Sequence, residues 1–457
     1  MIIAIPSIGN ELTNITPLDL IWVIIGYQLI LAAVLVNFGR LGDIFGRVRL
    51  YKLGFAIFTI FSGLCSISQT GLELVVFRCF QGLGAGLLQA NSNAIVTDSF
   101  GVQERGMAFS VNNIAGGGGM VLGLVLGGVL TGVLGWRSIF WVNIPIGGAA
   151  VVWSHFRLKE LGEINRKQKV DIAGNITFLL GLILLLVSVT FSAISLLDLT
   201  TAIATFTAGA FSMALFIYIE SKTHDPMIDL KLLKIPNLAL GNVGAFMNNI
   251  SWGAVMLVVA LFLQGPTMKL SSTLSGLYII PLPAAFVALA PVAGYLSDRH
   301  GQRILTTTGP LIASLGCVLL AQLGATATFS QLMICLALCG MGMGFFVTPN
   351  RVSVMNAASA GQRGVAGGLY QTSVSVGAVA SRAFVFVIMA LILSATNVNA
   401  LFDGTFVTTP NFTGELVSSL HLVYYASALA LVIAGAVSAL RVSTSQSRVI
   451  SSEITDQ

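Results

Sequence analysis

The chain has 457 residues, 55% hydrophobic and only 9% charged, against roughly a quarter charged in soluble domains. That balance excludes a soluble globular enzyme and points to a polytopic membrane protein. The net charge of +5 is spread through short connections between apolar segments, which excludes a basic patch for nucleic acid.

The first nine residues, MIIAIPSIG, carry no cleavable signal pattern. They read either as the tail of a first helix whose earlier part is absent or as an N-terminus on the outer side. A bilayer core of about 30 Å needs roughly twenty apolar residues per helix. Segments of that kind run over 19–38, 50–69, 73–98, 106–134, 138–156, 171–192, 199–219, 238–263, 273–296, 304–323, 329–349, 364–394 and 418–440, about thirteen in all. Nineteen of the 23 lysines and arginines fall in connections on one side, while Arg137 and Lys269 alone fall on the other. The base-rich side is cytoplasmic by the positive-inside rule, and the C-terminus lies there too.

The motifs follow in chain order. Gln28 lies inside the first complete span, and the polar island GRLGDIFGRVRL at 39–50 closes it. Gly39 and Gly46 permit tight turns, while Asp43 and Arg47 stand one turn apart if the island is helical. The island recurs about 255 positions later as GYLSDRHGQRIL, with Asp298 and Gly301 in the places of Asp43 and Gly46. Repetition at an equivalent place predicts a cytoplasmic latch of carboxylate and bases that holds one conformation.

The span 73–98 contains RCFQGLGAG, which puts Arg78 and Gln81 on one helix face with Gly82 beside them. An arginine at that depth is costly unless it finds acceptors or a cavity. GLGAG at 82–86 is echoed by GMGMG at 340–344. The span 106–134 holds glycines at close spacing, of which Gly119, Gly123, Gly127 and Gly128 predict backbone-close helix packing.

Gln28, Asn91, Asn112, Asn248, Asn249, Trp252 and Gln371, with Arg382 in the span 364–394, are candidate linings of a substrate cavity: an apolar pocket with scattered amides. Asp19, Glu73, Asp171, Asp198 and Glu220 all fall near span ends, so no carboxylate is placed at the membrane centre. The five cysteines read as packing residues, no metal cluster is expected, and no phosphate-binding loop is present. Asn411 begins a glycosylation-type triplet in the longest outer loop.

These residues resemble a known family. GRLGDIFGRVRL is similar to the signature between the second and third helices of the major facilitator superfamily, and RCFQGLGAG to that of its fourth helix. LGLVLGGVL followed by GWRSIFWVNIPIG resembles the fifth-helix antiporter motif of the fourteen-helix drug:proton antiporter group, and the helices 171–192 and 199–219 resemble its inserted hairpin. The resemblance covers essentially the whole chain. Three features depart from it: Gly123-Leu124 stands where the motif has Gly-Pro, the acidic residue of the group's first helix is absent, and Arg382 is an unexpected charge.

The expected fold is therefore all-α and polytopic, two six-helix bundles with an inserted two-helix hairpin and an incomplete first helix. The expected organisation is a first bundle over 1–156, linkers and hairpin over 157–236, a second bundle over 237–440 and a cytoplasmic tail over 441–457. The resemblance implies a plasma-membrane exporter of hydrophobic or amphipathic compounds, working by alternating access in exchange for protons. It would be a monomer in the bilayer, without a cofactor other than the proton gradient. The alternatives are a proton-linked importer, an exporter of a single metabolite, and a non-transporting sensor or scaffold.

Overall fold

The computed structural model describes residues 4–12, 15–100, 105–161, 171–193, 197–223, 226, 230–324, 327–358, 363–393 and 412–441. The helices are α1 (Ile5–Glu11), α2 (Pro17–Phe45), α3 (Arg47–Ile67), α4 (Gly71–Ser99), α5 (Arg105–Leu134), α6 (Ser138–Trp141), α7 (Asn143–Arg157), α8 (Ile172–Ala193) and α9 (Leu199–Lys222). A short 3-10 turn at Leu230–Lys234 leads to α10 (Pro236–Gln264), α11 (Ser272–Ile279), α12 (Pro281–His300), α13 (Gln302–Leu320), α14 (Phe329–Ala357), α15 (Arg363–Met389) and α16 (Phe412–Ala439).

Twelve segments among the described residues are long and apolar enough to cross a membrane. The sequence read about thirteen, and the difference is α5, which is helical over 30 residues but apolar over a described stretch of only Val125–Leu134. Several helices that start at the base-poor end are capped by side chains. Thr16 accepts from the Asp19 N–H at 3.2 Å while Asp19 accepts from the Thr16 N–H at 2.9 Å, and Thr70 and Asp198 accept from Glu73 and Thr201. Each cap satisfies a backbone donor that the first helical turn leaves without a partner.

The internal repeat is visible in the packing. α2 packs along α4 as α12 packs along α14, and α3 on α4 as α13 on α14. Gly82 lies against the Tyr27 carbonyl and Gly340 against that of Leu282; Gly84 lies against the Phe58 nitrogen and Gly342 against that of Ala313. A methyl group at any of these four glycines would collide with backbone of the facing helix, so the glycines set how closely the helices approach. The first half meets the second along two main seams, α2 with α15 and α5 with α11 and α12. α8 packs on α9 and also touches α2 and α15, the two sides of one seam.

The structure corrects the sequence reading at several boundaries. The island 39–50, whose helicity the sequence left open, is helical on both sides of one residue: α2 runs through it to Phe45, Gly46 breaks the helix with φ of 104°, and α3 starts at Arg47. Gly301 does the same between α12 and α13 with φ of 84°. The span read as 273–296 is two helices that meet at Ile280, immediately before Pro281, and the span 138–156 is divided at Val142. α16 starts at Phe412, six residues before the expected 418. Asn411 lies outside the described residues.

Candidate functional site

Arg47 is the hub of a charge network at the base-rich end of the first half. Its guanidinium donates to Asp43 Oδ1 at 2.8 Å from Nε, and to both oxygens of Asp98 at 2.8 and 2.7 Å from Nη1. Asp43 ends α2 and Asp98 ends α4, so one arginine at the start of α3 ties three helices together. A fourth element joins through Glu160, just beyond α7, whose two oxygens accept the Arg47 and Val48 N–H groups at 2.9 and 3.0 Å. A carboxylate there satisfies backbone donors of the first turn of α3 and meets the positive end of the helix dipole. Gly46 admits it, because a Cβ at that position would stand 2.7 Å from Glu160 Oε2.

Asp98 and Glu160 were not among the residues singled out in the sequence. Their signal was faint: one carboxylate at a span end and one in a charged linker, 51 and 113 positions from the arginine they hold. Among the described residues the second half shows no copy of the network. By the repeat, Gln302 stands for Arg47 and Asn356 for Asp98. Arg303 instead donates to the Ala439 carbonyl at the end of α16, and Arg299 stacks over Tyr295 at 4.7 Å. Gly301 has nothing within 4 Å of a built Cβ. The side chain of Asp298 lies outside the described residues. Gly39 likewise has nothing within 4 Å.

Arg78 and Gln81 form a second, fully internal network. Arg78 donates from Nε to the Val23 carbonyl at 3.1 Å and from Nη1 to Gln81 Oε1 at 2.6 Å, and its guanidinium lies 4.3 Å from the centre of the Tyr27 ring. Gln81 donates to Ser62 Oγ at 2.8 Å, and Asn143 donates to the same oxygen at 3.0 Å. The charge is held by dipoles and an aromatic face from α2, α3, α4 and α7, with no carboxylate among these partners.

Of the four glycines expected to pack helices, Gly128 does so. A Cβ there would meet the Ser272 carbonyl oxygen at 2.8 Å, and Thr273 Oγ1 donates to the Gly128 carbonyl at 3.2 Å, so α5 and α11 touch backbone to backbone at the base-poor end. Gly132 adds a contact with Thr273. Gly119, Gly123 and Gly127 have nothing within 4 Å of a built Cβ.

The candidate cavity residues are dispersed. Asn248 is fully buried on α10 and donates to Met343 Sδ at 2.7 Å, while Asn249 donates to its own helix at Ala245. Asn91 donates to Leu87 and Phe38 carbonyls and lies against Gly42, inside the first half beside the island. Gln28, Asn91 and Asn248 each keep a buried amide oxygen with no hydrogen-bond partner. Trp252 faces Phe286 on α12, 6.0 Å between ring centres, and Gln371 is half-buried on α15. Arg382 is buried and donates to the carbonyl of Ala378 on its own helix. The side chain of Asn112 lies outside the described residues. A shallow apolar recess between α2 and α8 is lined by Trp22, Leu29 and Phe191 among others.

Two helical halves of one plan, meeting along two seams and embedded by twelve membrane-crossing segments, define a multi-pass membrane transporter rather than an enzyme. The chain belongs to the Major Facilitator Superfamily, whose sequence model matches residues 1–382 and 241–452. It is 33% identical over 356 residues to the riboflavin transporter RibZ of Clostridioides difficile (strain 630), covering 77% of this chain and 76% of that one. It is 29% identical over 377 residues to the multidrug resistance protein Stp of Mycobacterium tuberculosis (strain CDC 1551 / Oshkosh), covering 82% and 70%. Among solved structures it resembles a bacterial homolog of the human lysosomal transporter Spinster in an inward-facing, occupied conformation. That match has a TM-score of 0.61 and 15% identity, over 98% of this chain and 92% of that one, and bears on the fold.

Proposed function

We propose that this protein exports hydrophobic or amphipathic compounds across the cell membrane by alternating access, in exchange for protons, as a member of the fourteen-helix drug:proton antiporter group. The observation that carries the reading is the network around Arg47, which makes the base-rich ends of α2, α3 and α4 a single body, while the second half has Gln302 and Asn356 at the places of Arg47 and Asp98. A rigid inner end on one half gives the rocking motion something to swing against, and Asp43 is its latch. The backbone contact of Gly128 with α11 forms the outer closure. Helices α8 and α9 are the group's inserted hairpin in this reading, with α8 touching both sides of the α2–α15 seam. Similarity to a protein named for multidrug resistance supports the export of drugs.

A second reading, transport of a single metabolite, is favoured by the 33% identity to a protein named as a riboflavin transporter. Counterflow in proteoliposomes separates the two. Purified protein is loaded with a lipophilic dye or with riboflavin under an imposed proton gradient. The drug-export reading expects dye flux that collapses with the gradient and competes with unrelated lipophilic compounds. Flux of riboflavin alone, or dye flux indifferent to the gradient, sinks it.

A further inference from the structure

We propose that Arg441, Arg351 and Tyr370 form a binding site for an oxyanion, a carboxylate or phosphate group, at the base-rich end of the second half. Arg441 follows α16 and turns inward, 3% exposed, between α10, α14 and α15. Its Nη2 is engaged, donating to Asn350 Oδ1 and, at 3.2 Å, to Ser438 Oγ. Its Nε and Nη1 are buried and have no acceptor. A guanidinium carries five N–H donors, so most of the donor capacity of this one is unused in a place where water does not reach it.

The titratable group that bears on Arg441 is the Tyr370 hydroxyl, and Arg351 on α14 bears on that same hydroxyl. Arg441 and Arg351, from different elements, both act electrostatically on this hydroxyl, which also hydrogen-bonds the Asn350 side chain, and no carboxylate acts on either that hydroxyl or Arg441 among the described residues. Burial pulls Arg441 down to about 10, which still leaves it charged at neutral pH. Asn350 orients the group rather than receiving the ligand: its amide is spent on Arg441 and, at 3.1 Å, on the Gly241 carbonyl. On the α10 side, Gly244 adjoins the guanidinium, with Nη2 3.4 Å from where a Cβ would stand.

Free guanidinium donors beside a second guanidinium and a phenol match a carboxylate or phosphate, with charge-assisted hydrogen bonds that a cationic or apolar molecule cannot make. Two sources can supply that chemistry, a solute entering from the base-rich side and the headgroup of an anionic lipid.

The test is binding of radiolabelled inorganic phosphate to the full chain in nanodiscs, by equilibrium dialysis, and it requires no transport. In discs of phosphatidylcholine alone, saturable binding near one phosphate per chain is expected. Arg441→Gln should weaken it about tenfold, Arg441→Lys less, and Tyr370→Phe by a few-fold, with Arg157→Gln on the exposed end of α7 as an unaffected control. Loss of phosphate binding when phosphatidylglycerol is added assigns the site to a headgroup, and retention assigns it to a solute. Absence of saturable binding by the wild type in phosphatidylcholine overturns the proposal, as does unchanged binding by Arg441→Gln. Should Arg441→Gln not insert, Tyr370→Phe decides, and unchanged binding by that variant overturns it equally.

Discussion

Arg47 is held by Asp43, Asp98 and Glu160, and these partners determine what its loss would do. With side chains between a fifth and a third exposed, the Arg47–Asp98 and Arg47–Asp43 pairs are each worth on the order of 1 kcal/mol. Asp98→Asn should therefore cost about 1 kcal/mol, while Asp98→Asn with Arg47→Gln, which copies the Asn356 and Gln302 of the second half and also removes the Asp43 pair, should cost about 2 kcal/mol, less than the two single losses added. Thermal unfolding in detergent of the two single variants and the double variant closes this cycle, and purely additive losses would show that the pair does not interact. Asp43→Asn should abolish dye efflux while leaving insertion intact; wild-type flux from that variant would remove the latch. The first-half aspartate and arginine were legible in the sequence because they sit in a repeated pattern four residues apart. Asp98 and Glu160 were not, because nothing local marks which distant carboxylate will reach a given arginine.

Gly46 and Gly301 occupy equivalent breaks between helices, both with positive φ, yet their surroundings differ. Alanine at either position pays for a left-handed backbone, about 1–2 kcal/mol. At Gly46 the new methyl also displaces Glu160 from the start of α3, whereas at Gly301 it meets nothing within 4 Å. Gly46→Ala should therefore lower the melting temperature more than Gly301→Ala, and the reverse order would contradict the role given to Glu160. Helix length and apolar content were readable from hydropathy, since lipid demands about twenty apolar residues whatever the neighbours are. The break at Ile280 follows from the proline that comes next, whose ring and missing N–H disfavour continued helix. The break at Val142 has no such residue beside it. The packing face of α5 was also hidden: glycine spacing announces a close approach without saying which glycines make it, and only the fold selects Gly128 over Gly119, Gly123 and Gly127. Gly128→Leu should force α5 from α11 at the base-poor end and stop transport, with a cysteine placed at Thr273 becoming more reactive to an impermeant maleimide from outside. Unchanged labelling would deny that contact a role in closure.

At the scale of the whole molecule, duplication was the most legible property of all. The two islands and the two glycine runs sit at matching intervals, and the matching glycines meet matching backbone atoms. The asymmetry laid over that duplication was not legible: Arg47 and Asp98 in one half against Gln302 and Asn356 in the other, and buried arginines Arg382 and Arg441 in the second half without a carboxylate among their described hydrogen-bond partners. Two similar bodies joined along two seams can exchange open ends by rocking, and this is the claim on which the transport reading stands. Its most direct test uses two spin-label pairs in a cysteine-free background, measured by double electron–electron resonance in nanodiscs. One pair sits at the base-rich end, at Arg49 and Ile304, and the other at the base-poor end, at Leu134 and Leu274. Across a pH titration that drives transport, the account predicts that one distance distribution lengthens while the other shortens. Distances that stay fixed, or that change together at both ends while solute is still carried, would contradict it.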